Sequence, residues 1–341
     1  MIRLKDIAAH ANVSVMTVSK ALRDAPDISA ATKERVRALA QQMGYVPDTM
    51  AQGLRTRNTK VFGLVISAST NPVFARIVMA IEEQAHELGY QVILAHTLNR
   101  PEREAAVIAR LLARRVEGLF ISPVYRLSPN APIYQEIRRR GTPTVILGHV
   151  APFCHDFVNT ETDDVNASYA ATQYLLELGH RRIAFLGGPA AAPSAQERYE
   201  GYRRALREAD IELDDKLIFH AGVTVEEGQK AALQMLNESV QATAVQTVND
   251  LVAIGAADVF LNQGLRIPED LSIFGFGNIL TSEYFRVPLT TVRQPKFRLG
   301  IAAMDCMLQL LKGKRPPSKR LPAEIVVRAS TGAPRITPTI G

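Results

Sequence analysis

The chain has no tryptophan and only two cysteines, Cys154 and Cys306, in 341 residues. Two cysteines are too few for a cysteine-built zinc site or a disulfide-stapled secreted fold. No uninterrupted apolar run reaches the ~18 residues that a membrane span needs, which excludes an integral helical membrane protein. The N-terminus, MIRLKDIAAHANV, lacks the apolar stretch of a signal peptide, so a cytoplasmic location is expected. The glycine-rich phosphate loops of nucleotide enzymes are also missing. The turn after the first apolar run reads Ser67-Ala68-Ser69-Thr70-Asn71-Pro72, with neither G-x-G-x-x-G nor G-x-x-x-x-G-K. No H-E-x-x-H, G-x-S-x-G or carboxylate dyad is evident, and the seven histidines lack ligand spacing. These absences point away from an enzyme. No catalytic residue, metal ligand or cofactor is expected.

What is present begins with an uneven charge. The chain carries +6 overall. Residues 1–60 hold ten basic and five acidic side chains, against 30 and 29 in the remainder. A basic head on a near-neutral body suits a polyanionic partner for the head alone. The length suggests two or three domains.

Within the head, Leu4, Ile7, Ala8 and Ala11 fall on one helical face. Ser14 is a good N-cap for a second helix, with Val18 and Leu22 turned inward and Val15, Met16, Ser19, Lys20 and Arg23 on the other side. Ser29 caps a third helix whose stripe is Thr32, Val36, Leu39, Ala40 and Met43, and Gly44 ends it. Two short helices joined by a tight turn and closed by a third form the helix-turn-helix plan. In that plan the N-terminal residues of the second helix reach base edges in the major groove. Val15 and Met16 read either as core or as partners of thymine methyl groups.

The order V-S-x-x-T-V-S, S-x-x-T-x-x-R/K-V, G-Y-x-P and A-x-x-L-R over about 55 residues resembles the DNA-binding head of the LacI/GalR family of bacterial transcription regulators. The resemblance implies that Ser14, Val15, Met16, Thr17, Ser19, Lys20 and Arg23 meet operator DNA. It also implies a hinge helix in which Leu54 wedges into the minor groove, with Arg55 beside it. Gly53 stands where the family usually has serine, which makes hinge folding more costly here.

From Val61 onward apolar strands alternate with amphipathic helices in two series, the pattern of doubly wound α/β lobes. The landmarks L-G-H-R-R-I-A-F-L-G-G-P (178–189), R-x-x-G-Y (198–202), V-N-D (248–250), L-S-I-F-G-F (271–276) and L-T-T-V-R-Q-P (289–295) resemble the family's periplasmic-binding-protein-like core. The resemblance implies three crossings between lobes and a small-molecule effector in the cleft. The expected division is a helix-turn-helix domain over 1–46 and a hinge over 47–60. An N-terminal lobe covers 61–160 with 290–320, a C-terminal lobe covers 161–289 with 321–330, and a flexible tail covers 331–341.

By resemblance the effector-binding candidates are Ser67, Asn71, Phe74, His149, Arg198, Asn249, Asn278 and Gln294. Asp250 reads as a helix N-cap, which leaves Asn249 for the ligand. Sugar-binding relatives commonly carry acidic residues where this chain has Gly148 and Gly277. The expected effector is a sugar, sugar acid or sugar phosphate; loss of both carboxylates, with Arg198 retained, favours the anionic members of that set unless another polar group replaces them.

The function implied is an effector-controlled repressor of carbohydrate-use genes, acting as a homodimer on a near-palindromic operator. The alternatives are an activator of the same family, or a sugar-binding protein without a DNA role. The Pro/Thr/Gly-rich tail does not suit a tetramerising helix.

Overall fold

A computed structural model describes residues 2–45 and 59–335. The chain divides into two compact units, one up to Thr59 and one from Lys60.

The first unit is a three-helix head of α1 (Leu4–Ala11), α2 (Val15–Leu22) and α3 (Ala30–Gln42). Its core is Ile7, Ala8, Ala11, Val18, Ala21, Val36 and Ala40, with Leu22, Leu39 and Met43 packed at the edge. The caps follow from local chemistry. The Ser14 hydroxyl accepts the Thr17 N–H at 3.0 Å, and the Ser29 hydroxyl accepts that of Thr32 at 3.4 Å. Asn12 turns left-handed at φ 52° to end α1. Residues 47–58 of the expected hinge, with Leu54 and Arg55, lie outside the described residues.

In the second unit, one sheet contains β1 (Val61–Ile66), β2 (Gln91–His96), β3 (Gly118–Ile121), β4 (Thr144–Leu147), β5 (Val158–Thr162) and β11 (Lys319–Leu321). Their order is β11-β5-β4-β3-β1-β2, all parallel. Helices α4 (Pro72–Glu87), α5 (Pro101–Ala113), α6 (Pro132–Arg140) and α12 (Lys296–Leu311) accompany this sheet. Ile77, Ile81, Met304 and Met307 pack with Phe62 and Leu64. Ile108, Leu111, Tyr134 and Ile137 pack with Val65 and Leu119. Burial from both sides explains the unbroken apolar runs of the strands.

The other sheet contains β6 (Ile183–Gly187), β7 (Ile218–His220), β8 (Ala244–Thr247), β9 (Ser272–Gly277), β10 (Thr290–Arg293) and β12 (Glu324–Val326). Its order is β12-β10-β9-β8-β6-β7, with only β12 antiparallel. Its helices are α7 (Asp164–Glu177), α8 (Pro193–Glu208), α9 (Val225–Asn237), α10 (Asp250–Asn262) and the short α11 (Leu280–Tyr284). Each sheet therefore belongs to one lobe.

The chain crosses between lobes after β5, after β10 and after β11. The lobe limits differ from the sequence-based division. Glu161 and Thr162 complete β5 in the first sheet, whereas Thr290–Arg293 pair with β9 in the second. Backbone pairing decides the lobe, and the crossings fall at the ends of strands. The tail also differs. The Gly332 carbonyl accepts from His180 Nε2 at 2.8 Å and from the Ser272 hydroxyl at 3.1 Å, so the backbone at 332 is fastened to the second lobe. Residues 336–341 lie outside the described residues.

Candidate functional site

The head presents its candidates around the N-terminus of α2. Val15 and Met16 are 46% and 63% exposed beside a core that Val18 and Ala21 complete without them. Core membership is thereby excluded for both. Apolar side chains held open to solvent at a helix N-terminus are suited to contact a groove edge. Ser14 and Thr17 share a hydroxyl hydrogen bond of 2.9 Å that stiffens this turn. Lys20 pairs with Asp27, and Arg23 Nε donates to the Ser19 carbonyl at 2.9 Å. Such exposed contacts are weak enough to be exchanged for phosphate contacts.

The second unit holds a cavity of about 270 Å³ lined by residues from both lobes, Ser67, Phe74 and Thr160 among those of the first and Arg198 and Phe276 among those of the second. Strand ends supply much of the lining, as the parallel topology requires. Asn71 caps α4, its Oδ1 accepting the Val73 N–H at 3.2 Å, and Gln294 Nε2 donates to Thr162 Oγ1 at 3.2 Å. Both line the cavity, as does His149.

Arg198 is the most constrained of the expected residues. One guanidinium nitrogen donates to the Val248 carbonyl at 2.6 Å, and the other pairs with Asp164 at 3.2 Å. The guanidinium lies 3.7 Å over the Phe276 ring. Asp164 is 1% exposed. Burial pushes its carboxyl up, while Arg198 and His149 hold it down. Of the described cavity-lining residues, Arg198 and Thr160 each keep one buried polar atom without a partner, Nε and the hydroxyl respectively. Both atoms are open to a ligand, because a buried donor without a partner is costly.

Three expectations are corrected. Asn249, not Asp250, is the N-cap of α10. Its Oδ1 accepts the Val252 N–H at 2.8 Å and its Nδ2 donates to the Val223 carbonyl at 3.0 Å, so the residue lines the cavity as expected but its amide is already engaged. Asp250 is instead a buried acceptor for Ile279 N–H, Ser282 and Thr291, at 2.9, 2.8 and 2.5 Å. Second, Asn278 does not line the cavity. Its Oδ1 accepts from Arg328 at 2.8 Å, in a left-handed turn at φ 50°.

Third, the cleft is not poor in carboxylates. Gly148 and Gly277 adopt φ of 110° and 138°, a region that disfavours other residues. No space opens at Gly148, because the Tyr125 hydroxyl sits 3.2 Å from where a Cβ would stand. That hydroxyl donates to the His149 carbonyl at 2.8 Å. Acidic groups arrive from elsewhere: Glu161, Asp164 and Asp250 all line the cavity. The sequence reading missed β5, and with it Thr160 and Glu161, because VNTET carries no apolar run. The acidic pair Asp163-Asp164 ahead of a helix was the available signal for a buried N-terminal carboxylate.

His149 is buried, with Nε2 at 3.0 Å from Glu197, 3.7 Å from Asp164 and 3.8 Å from Glu161. Burial pulls its pKa down. The hydrogen bond to Glu197 and the charges of Asp164, Glu197 and Glu161 outweigh that and raise it. Among the described residues no cluster of three or more His, Cys, Asp or Glu side chains suits a metal. No helix there is long and apolar enough to cross a membrane.

The profile for bacterial regulatory proteins of the lacI family matches residues 3–48, and that for periplasmic binding protein-like domains matches residues 172–331. The HTH-type transcriptional repressor CytR of Escherichia coli (strain K12) is 33% identical over 332 residues, covering 97% of this chain and 96% of that protein. A Lac repressor dimer bound to operator and an anti-inducer superposes with a TM-score of 0.87 at 29% identity, covering 97% and 99% of the two chains. A complex of the transcriptional regulator CelR with cellobiose superposes with a TM-score of 0.73 at 28% identity, covering 97% of this chain and all of that one. These full-length matches reach across the three-helix head and the two-lobed cleft alike, and the chain belongs to the LacI family of bacterial regulatory proteins.

Proposed function

We propose that this chain is a cytoplasmic, effector-controlled repressor that binds a near-palindromic operator as a homodimer. The observation that carries the DNA role is the exposure of Val15 and Met16 at the capped start of α2, within the first 60 residues, whose ten basic and five acidic side chains hold most of the excess positive charge. A single head reads too few base pairs to specify a site, and pairing two heads on one operator supplies the rest. Exposed Leu94 and Leu98 at the sheet edge, and Leu280 and Tyr284 on α11, offer apolar surface for a second copy. The Lac repressor dimer seated on its operator supports the same assembly.

The effector reading changes with the geometry. Arg198 is committed to Asp164 and to the Val248 carbonyl, so an anion would have to displace a buried carboxylate. Glu161, bonded to Arg320 and Asn159, and Asp164, bonded to Arg198, line the cavity as carboxylates, whose remaining lone pairs can accept from hydroxyl groups. A neutral, hydroxyl-rich ligand of monosaccharide size suits a cavity of about 270 Å³, close to the lower end of the ~300–1,000 Å³ usual for ligand pockets. The genes controlled would be those for using such a ligand.

Selection of duplexes from a random pool with the purified full chain tests the DNA role. A near-palindrome with two half-sites is the expected product. Recovery of unrelated duplexes with purely salt-governed binding would overturn it.

A further inference from the structure

Glu197 stands on α8 in the second lobe, yet its two oxygens serve two bases of the first. Its Oε2 lies 3.0 Å from His149 Nε2, and its Oε1 accepts from Arg320 at 2.7 Å. His149 follows β4 and Arg320 belongs to β11. Arg320 is held in turn by Glu161 of β5 at 2.7 Å. One carboxylate thus fastens the two lobes to each other through His149, which also lines the cavity, and through Arg320.

The ionisable groups that face the His149 imidazole are Glu161 from β5, Asp164 from the start of α7 and Glu197 from α8. Tyr125, from the segment after β3, meets only the backbone carbonyl of His149. Arg198 and Arg320 stand behind Asp164 and Glu197, to which they are paired. Of the three carboxylates, Glu161 belongs to the same lobe as His149, whereas Asp164 and Glu197 belong to the other. Opening the cleft carries the latter two away.

We propose that His149, Glu197 and Arg320 form a proton-controlled clasp, in which proton uptake by His149 favours the closed arrangement of the lobes. The Arg320 arm does not titrate in the physiological range, because a guanidinium keeps its charge. The His149 arm does. Neutral imidazole keeps at most one N–H bond to Glu197 and loses the charge attraction to both carboxylates. The direction of linkage follows. With Asp164 and Glu197 beside it, the pKa of His149 stands above the ordinary value of about 6.5. Its contribution to closure is therefore complete below its pKa in the open form, which lacks those two carboxylates, and is lost as pH rises through the raised one. Each unit by which the pKa differs between open and closed forms corresponds to about tenfold in the closure equilibrium.

The test uses the full chain with no ligand or DNA. Spin labels go on Glu102→Cys of α5 and Glu226→Cys of α9, both exposed and in different lobes, while native Cys154 and Cys306 are buried. Distances between labels are measured at pH 6 and pH 9. The closed population of the otherwise native chain is expected to fall severalfold at pH 9. In His149→Gln, which keeps a donor but cannot take a proton, the response is expected to shrink to the part that Lys296 supplies, since that amine joins the lobes at the Gly277 and Asn278 carbonyls and burial lowers its pKa to about 8. Glu197→Gln, altered at the partly exposed mouth of the cleft, is expected to lose most of the dependence and serves alone should His149→Gln not fold. An unchanged distribution in the native chain, or an undiminished pH response in the variants, overturns the clasp. Because no effector enters the measurement, either result leaves the effector reading where it stood.

Discussion

Arg198 shows how far a single residue can be read from sequence and where the reading stops. Its position in R-x-x-G-Y placed it on a helix facing the cleft, and it does line the cavity. Its partners were not legible, because Asp164, Val248 and Phe276 lie far away in the chain and converge only through the crossing of α7, β8 and β9. The partners change the expected phenotype. Removing Arg198 takes from Asp164 its largest compensating partner and leaves only His149, 3.7 Å away, in a site only 1% exposed. Arg198→Ala is therefore expected to destabilise the chain by about 3–5 kcal/mol, the range for breaking one side of a buried pair. Urea unfolding measures this, and an unchanged midpoint would show that Asp164 finds water or another partner. Asn249 and Asp250 teach a related lesson. Both residue types cap helices, so their adjacency left the assignment open to local chemistry. Burial settled it, because only Asp250 meets Thr291, Ser282 and Ile279 across the second lobe.

Among the elements, the head helices were the most legible, because caps and apolar spacing lie within a few residues of one another. Strand β5 was the least legible, since it is a polar five-residue strand that only its neighbours β4 and β11 define. Element α2 carries a direct prediction. Met16 is exposed and outside the core, so Met16→Ala is expected to leave stability nearly unchanged. It should shift preference at its half-site bases by about 1–3 kcal/mol per affected pair. Sequence selection with both proteins checks this, and identical motifs would assign Met16 to no base. Helices α9 and α10 yield another. They approach so closely that a Cβ on Gly255 would stand 2.0 Å from the Val225 carbonyl, and one on Gly228 would stand 2.4 Å from that of Val252. Helix propensity alone favours Gly255→Ala by about 1 kcal/mol. The backbone clash dominates instead, and a net loss of about 1–3 kcal/mol is expected from overpacking. A higher melting temperature for Gly255→Ala would show that the two helices separate easily.

At the scale of the molecule, the alternation of strands and helices revealed two lobes, and with them a cleft. The charge of that cleft could not be counted from the positions that family resemblance singles out. Gly148 and Gly277 are empty of charge, yet Glu161, Asp164 and Asp250 reach the same cavity from β5, α7 and α10. A charge count belongs to the assembled fold, because the acidic side chains enter from segments far apart in sequence. The expected consequence, under the proposed effector reading, is a preference for ligands whose hydroxyls donate to carboxylates over ligands that bring their own negative charge. A ligand that binds only the folded chain raises its stability by about 2.7 kcal/mol when present at 100 times its dissociation constant. A neutral aldose should therefore raise the melting temperature of the full chain more than its aldonic or uronic acid at equal concentration. Glu161→Gln should narrow the gap, since it removes one negative charge from the lining while keeping an acceptor oxygen. A larger shift with the acid than with the aldose in the native chain would mean that Arg198 exchanges Asp164 for the ligand, and the neutral-ligand assignment would then fail while the operator-binding head remained unaffected.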